Sequence, residues 1–569
     1  MNAPLEDPAS TGHDSTLSPR AWLILMLLAL AAFVPGLFSI PAMDRDESRY
    51  AQASVQMMET GDFIDIRFQT EPRYKQPVGT YWLQSIAAAP FGGEDAPIGA
   101  HRLPGLAFSL LAVALTAWLG ARLFSPTIGF SAGLVLAISL MLALEARTAK
   151  TDAILLGLGM VAQVALAMIV LREESARPKF LGWPALLWAA IGASLLVKGP
   201  IFFMVTALTL GGYALWKRDA SILLKVRPLP GIALALAIFL PWFLAINLMT
   251  DWAFAAKAVG WSLLGKVTEA HEAHGGPLGY HLMLSPVTLW PGSVLLVLGV
   301  LAAWRYRSDD RVKFLIAWAL PTYIVFELVA TKLPHYTLPA FPAIALLIAI
   351  GMERRDVLLS RRAASIAFWI FAGLAIAAGL VVAAVPLAGR IFFEMPVGVI
   401  APVTLALGVV AAVAVFALAR RPSVNRLVAT GVAAAATYTA AFAFAIPGVT
   451  PLWTSRDMGV LARSIEAEGC EFVEITVAGY REPSLAFNLG TGTLLANDGE
   501  QAADFLLVHR ECGLAIVDAA EAPVFNSAIN AANGTLVELG RLEGYNYVKG
   551  DPLSLTFYTL EGSNLSRPD

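Results

Sequence analysis

Charge is what this chain lacks most. Only 15% of its 569 residues are charged and 57% are hydrophobic, whereas soluble domains carry about 25% charge. With a mean hydropathy of +0.65, the composition excludes a string of soluble domains and implies one long membrane body. The net charge of −3 gives no reason to expect nucleic acid or an anionic polymer as a partner. There is no short apolar segment followed by a small-residue cleavage site, so a cleavable signal peptide is not expected. Gly490-Thr491-Gly492 lacks a third glycine and a following helix, which excludes a phosphate loop. There is no long internal repeat. The sequons at Asn533 and Asn564 read as chance in a chain of bacterial character.

What is present is a series of apolar runs long enough to cross a hydrocarbon core of roughly 30 Å. They fall at 21–40, 101–121, 127–145, 153–171, 181–197, 200–216, 229–249, 286–304, 313–330, 335–351, 364–388, 397–419 and 427–446. About thirteen transmembrane helices are expected. Short connections such as Lys217–Arg227, Arg305–Lys313 and Arg354–Arg362 each carry four Lys or Arg, and the positive-inside rule places them in the cytoplasm. The domain plan is then a disordered cytoplasmic tail over 1–20 and a membrane body over 21–446. Long outer loops follow at 43–100 and 250–285, and an odd helix count leaves 447–569 on the periplasmic side.

In that last segment the pattern changes. Phe472–Val477, Phe505–Val508 and Leu514–Val517 read as strands, and Asp457–Ala467 and Ala520–Ala532 as helices, giving a soluble α/β domain. Cys470 and Cys512 both lie in it. Two cysteines in an oxidising compartment predict a disulfide.

Ionisable groups are nearly absent from the span interiors, Glu327 excepted, and gather at one side. A transporter would place them near the bilayer midplane, so the layout favours an enzyme at the membrane surface. The first loop opens Asp44-Arg45-Asp46-Glu47-Ser48-Arg49-Tyr50. Asp44 and Glu47 have the spacing of a capping box, while Asp46, Arg49 and Tyr50 share a helix face. A carboxylate held beside arginine stays ionised and can take a proton from an acceptor hydroxyl. Lys75, in Arg73-Tyr74-Lys75-Gln76-Pro77, suits a phosphate or a lipid headgroup. Glu145 to Asp152 packs two carboxylates with Arg147 and Lys150, and Asp152 has the alternative of capping the next span. Lys198 at Lys198-Gly199-Pro200 either snorkels or joins the site, and Lys332 and Tyr336 can reach a phosphate. His271, Glu272 and His274 have the ligand types for a divalent metal.

Taken in order, Asp46-Glu47-x-Arg49-Tyr50-Ala51, Tyr74-Lys75-x-Pro77, Arg147 with Asp152, Lys198-Gly199-Pro200 and Lys332-Leu333-Pro334-x-Tyr336 resemble one group. They are similar to the lipid A aminoarabinose and galacturonic acid transferases, relatives of the dolichyl-phosphate-mannose protein mannosyltransferases in the GT-C superfamily. The resemblance covers nearly the whole chain. It implies a GT-C fold and an inverting transfer of sugar from a polyprenyl (undecaprenyl) phosphate to lipid A or another envelope acceptor. It also implies Asp46, Glu47 and Asp152 as catalytic carboxylates, with Lys75, Tyr74, Arg49, Lys198, Lys332 and Tyr336 around the donor phosphate. Tyr74 and Gln76 depart from the aminoarabinose pattern, which has an acidic residue before the lysine and a proline after it. A protein O-mannosyltransferase-like activity, another envelope-glycan transferase and, distantly, a polyprenyl-linked sugar flippase are the alternatives. No cofactor is required by this reading, a divalent metal at His271, Glu272 and His274 being the one candidate. The expected state is a monomer in the bacterial inner membrane.

Overall fold

The computed structural model describes residues 16–171, 179–258 and 275–567. Helices occupy every one of the thirteen apolar segments, yet among the described residues only seven helices are long and apolar enough to cross a membrane, or eight with one bent pair. Two of the remaining segments are interrupted. Segment 127–145 breaks into α5 (Pro126–Ala137) and α6 (Leu140–Glu145). Segment 286–304 bends by 118° between Tyr280–Thr288 and Gly292–Arg305, around Pro291. Proline cannot donate to the helical ladder and clashes with the turn before it.

The elements that carry the polar clusters come early. Ser18 caps α1 (Pro19–Phe33) through its hydroxyl. Helix α2 (Asp46–Thr60) puts two acids in its first turn, favourable beside the helix dipole, and ends on Gly61 at φ +70, a left-handed cap that glycine accepts without steric cost. Strands β1 (Arg67–Phe68) and β2 (Glu71–Pro72) form a small hairpin before α3 (Gly79–Ala88). Next come α4 (Ile98–Leu123), α7 (Asp152–Val170), α8 (Trp183–Lys198) and α9 (Ile201–Lys217). Gly120 and Gly129 let α4 and α5 approach until a Cβ on Gly129 would lie 2.3 Å from the Ala117 carbonyl. Without a hydrophobic force between helices in lipid, small residues permit the close packing that holds them.

The loop-one elements have a core of their own. Tyr50, Met57, Ile66, Tyr74 and Tyr81 pack with Trp242, Ile246 and Phe254, so α2, β1–β2 and α3 are seated on the helix Pro228–Met249. The expected capping box does not form. The helix starts at Asp46, the Asp44 carboxylate turns away to Ser484 and Tyr480, and Glu47 reaches back to the Met43 N–H at 3.0 Å.

After a short β3 (Glu466–Ala467), the C-terminal region holds a five-stranded sheet in the order β5-β4-β6-β8-β7. β4 (Glu474–Ala478) pairs parallel with β5 (Leu494–Leu495) and β6 (Gly513–Asp518), and β6 pairs antiparallel with β8 (Asp551–Leu560), which forms a hairpin with β7 (Leu536–Asn546). Two of the three expected strands match β4 and β6. Phe505–Val508 is instead the end of a helix, Gly499–Val508, capped by Asp498. A four-residue apolar run has the same look in a buried strand and on a buried helix end. Cys470 and Cys512 form the expected disulfide.

Candidate active site

The polar clusters meet at a cavity of about 400 Å³ lined by Asp44, Arg45, Asp46, Glu47, Tyr50, Arg73, Lys75, Lys150, Asp152, Lys198, His335, Tyr336 and Tyr547, among others. Six expected site residues line it: Asp46, Glu47, Asp152, Lys75, Lys198 and Tyr336. They come from segments up to 290 residues apart in sequence.

Asp46 and Glu47 are adjacent but differ in environment. Glu47 is buried, and both oxygens are engaged: the Arg102 guanidinium donates to each at 2.8 Å, with the Ala149 N–H at 2.8 Å and the Met43 N–H at 3.0 Å. Arg102 completes its fork on the carbonyls of Leu37, Ile40 and Pro41. This knot ties α4, the end of the first span and the 146–151 connection to the start of α2. Burial pushes the Glu47 carboxyl up, but Arg102 and the backbone donors outweigh it and hold it below its ordinary range. Asp46 opens into the cavity. Burial again acts upward, and the positive charges of Arg73, Lys150, Arg49 and Lys198 bring its carboxyl below its ordinary value.

Asp152 stands at the start of α7, where the helix dipole favours an anion. Lys198, the last residue of α8, donates to its Oδ1 at 2.6 Å, and His335 Nε2 lies 3.6 Å from its Oδ2. Glu145 takes Lys150 at 2.9 Å, with His335 Nδ1 at 3.7 Å. The carboxylates raise the Lys150 ammonium above its ordinary value despite its burial. Lys198 also lies 5.9 Å from the centre of the Tyr336 ring. The short 3₁₀ turn Pro334–Ala340 presents His335 and Tyr336.

Other expected residues stand behind the wall. Tyr74 donates to Asp65 at 2.9 Å and packs edge-on to Phe254, fixing the backbone just before Lys75. Lys332 donates to the Gly276 carbonyl at 3.0 Å. Arg49 acts on Asp46 through its charge without lining the cavity. Arg147 is buried against the Phe442 ring at 3.9 Å and donates to the Ala32 carbonyl. Glu327, the one charge expected inside a span, accepts from the N–H groups of Gly279 and Tyr280 at 2.6 and 2.9 Å and from His281 Nδ1 at 2.9 Å. It anchors a helix N-terminus. His271, Glu272 and His274 lie outside the described residues, and among those described no group of three His, Cys, Asp or Glu is arranged for a metal. Arg102, His335 and Tyr547 were not singled out from the sequence. Arg102 left a signal there, as a guanidinium at the start of an apolar run.

This arrangement can hold an anion against Lys75, Lys198 and Arg73 while keeping the carboxylates of Asp46 and Asp152 within the same cavity. Over 95% of its length the chain superposes on the crystal structure of ArnT from Cupriavidus metallidurans bound to undecaprenyl phosphate, with a TM-score of 0.73, 18% identity and 98% of that chain covered. The fold is that of ArnT. The apo structure of the same protein matches with a TM-score of 0.71. The model of the dolichyl-phosphate-mannose-protein mannosyltransferases matches residues 20–253, which hold Asp46, Lys75, Asp152 and Lys198 but not His335 or Tyr336. Undecaprenyl phosphate-alpha-4-amino-4-deoxy-L-arabinose arabinosyl transferases are similar in sequence. The Pseudomonas paraeruginosa protein is 30% identical over 348 residues, 59% of this chain and 60% of its own, and that of Pseudomonas aeruginosa 29% over 351 residues, 60% and 61%. The match thus spans about three fifths of the length of these relatives. The chain resembles the GT-C glycosyltransferases, the lipid A aminoarabinose transferases among them.

Proposed function

We propose that the chain is a multi-pass inner-membrane glycosyltransferase that moves a sugar from an undecaprenyl phosphate carrier to lipid A or a related envelope acceptor on the periplasmic face. The observation that carries this is one cavity in which ionised Asp46 stands with Asp152 among Arg73, Lys75, Lys150 and Lys198. Together with the arabinosyl transferase relatives and the ArnT fold, it supports a lipid phosphate as leaving group.

In this mechanism the acceptor oxygen attacks the sugar C1 as the C1–O bond to the carrier phosphate breaks, and the electron pair leaves with the phosphate. Asp46 orients the acceptor and takes its proton when the acceptor is a hydroxyl. Asp152, held by Lys198, assists. Lys75, Lys198 and Tyr336 neutralise the departing phosphate, the kind of charge stabilisation that dominates such reactions. Glu47 acts by fixing the frame rather than by contact with substrate. About thirteen spans, a periplasmic C-terminal domain and a monomeric state belong to the same proposal, which requires no cofactor and leaves His271, Glu272 and His274 as candidate ligands for a divalent metal.

A second reading, the same chemistry on protein serine or threonine, is favoured by the mannosyltransferase model match over 20–253. The test is intact mass spectrometry of lipid A from cells with the gene intact, deleted, and restored as Asp46→Asn. A sugar-sized mass lost on deletion and not recovered by Asp46→Asn is expected. Unchanged lipid A on deletion would move the acceptor to glycoproteins or other envelope glycans.

A further inference from the structure

The loop that carries Asp46 is held from outside the membrane body. Tyr547, on the β7–β8 turn of the C-terminal domain, lines the cavity, and its hydroxyl accepts the Asp44 N–H at 2.6 Å. The Asp44 carboxylate in turn accepts from the Ser484 N–H at 3.2 Å and the Tyr480 hydroxyl at 3.3 Å. Three groups of one domain therefore grip a single residue of another. The grip is itself rigid. Asn546 accepts from the N–H groups of Val548 and Lys549 at 3.1 Å each, tying the turn beside Tyr547. Tyr480 and Ser484 both bond to the Ser455 hydroxyl, at 3.0 and 2.5 Å. Tyr545 packs on Phe393 with ring centroids 5.0 Å apart.

Between the gripped residue and Asp46 lies Arg45, at φ +66 and ψ −96. An L side chain seldom adopts this conformation, which persists only where the surroundings over-determine it and which clusters at functional sites. On the far side, Asp46 is already in a helix whose Glu47 is locked to Arg102. The helix also holds the turn by its carbonyls, Met43 accepting from the Ser48 N–H at 3.2 Å and Arg45 from the Arg49 N–H at 3.2 Å, so relaxation is confined to the Asp44–Arg45 step, where it would swing the Asp46 carboxylate.

We infer that the C-terminal domain aims Asp46: Tyr547, Tyr480 and Ser484 are positioning residues that hold Arg45 in its left-handed backbone and so keep Asp46 pointed into the cavity. This rests on the proposed role of Asp46. It gives the C-terminal domain a part in the reaction without contact with the reacting atoms, and it explains why a hairpin turn reaches the cavity wall.

The test uses the full chain in native membranes, where its own donor is present, with the initial rate of sugar addition read by mass spectrometry. Tyr547→Phe removes the hydroxyl and keeps the ring. It is expected to lower the rate about tenfold to a hundredfold while leaving the thermal midpoint and the binding of undecaprenyl phosphate to the purified protein unchanged. The decisive comparison is made in an Arg45→Gly background. Glycine accepts positive φ without strain, so there Tyr547→Phe should cost less than threefold. Tyr480→Phe should show the same dependence on residue 45. An unchanged rate in Tyr547→Phe overturns the inference, as does an equal loss in both backgrounds. Failure of the underlying reading is separate: it would show as normal turnover in Asp46→Asn, whatever Tyr547 does.

Discussion

Two carboxylates one residue apart divide this site into a sealed region and an open one. Glu47 is 2% exposed and takes four donors, whereas Asp46 faces the cavity with four cations around it. Both are held ionised, by opposite means: one by direct hydrogen bonds in a dry knot, the other by the field of charges that leave room for a ligand. The second cluster shares the difference in burial but not in partners. Glu145 is buried on Lys150 with its second oxygen unpartnered, and Asp152 lies on the cavity wall with Lys198 and Thr151 bonded to it. In the first pair the sealed member builds the frame and the open member is placed to work. What separates the two roles at both clusters is access to the cavity.

The comparison can be broken by substitution. Asp46→Asn keeps the shape and removes the charge, so turnover should fall about 10²- to 10⁴-fold with the melting temperature unchanged in detergent. A large loss of stability there would erase the distinction from Glu47. Glu47→Gln should do the reverse. It leaves Arg102 buried and uncompensated, at a cost of about 3–5 kcal/mol, seen as a lower melting temperature and poor recovery from membranes. Its pH dependence has a definite sign. The folded carboxyl lies below its ordinary value of 4.5, so its contribution is full above that value and lost as pH falls through the lower, folded value. The acid limb of the wild-type stability curve should flatten in Glu47→Gln.

Lys75→Ala sharpens the open side. Loss of a charge-assisted contact, about 1.5–3 kcal/mol, should weaken undecaprenyl phosphate binding roughly 10- to 100-fold, measured by titration of the purified protein, with stability unmoved. The smallest effect is expected at Lys217–Asp310, an ion pair of 2.6 Å that is 33% and 45% exposed. Asp310→Asn should change the melting free energy by less than about 1 kcal/mol. A large change there would mean that pairing alone, rather than burial, separates Glu47 from the rest.

Most of the architecture was legible in the chain because its signals are local. Each of the thirteen apolar runs located a helix, and the alternation after residue 450 located β4 and β6. Motif order brought out Asp46, Lys75, Asp152, Lys198 and Tyr336, all of which line one cavity. What was missed depends on distant partners. Phe505–Val508 has no local feature to separate a strand from a helix end. Asp44 and Glu47 fitted a capping box by spacing, but Tyr480, Ser484 and Tyr547 offered Asp44 better partners some 440 to 500 residues away.

The sequence by itself determined the membrane class, the segments that become helices and the residues able to carry charge beside a phosphate. These follow from transfer free energy and side-chain chemistry, which each residue brings with it. Only the tertiary structure decided which carboxylate is sealed and which is open, that His335 stands between Glu145 and Asp152, and that a hairpin turn holds the residue before Arg45. Those facts depend on the distance between groups far apart in the chain, and electrostatic and hydrogen-bond energies change steeply with that distance.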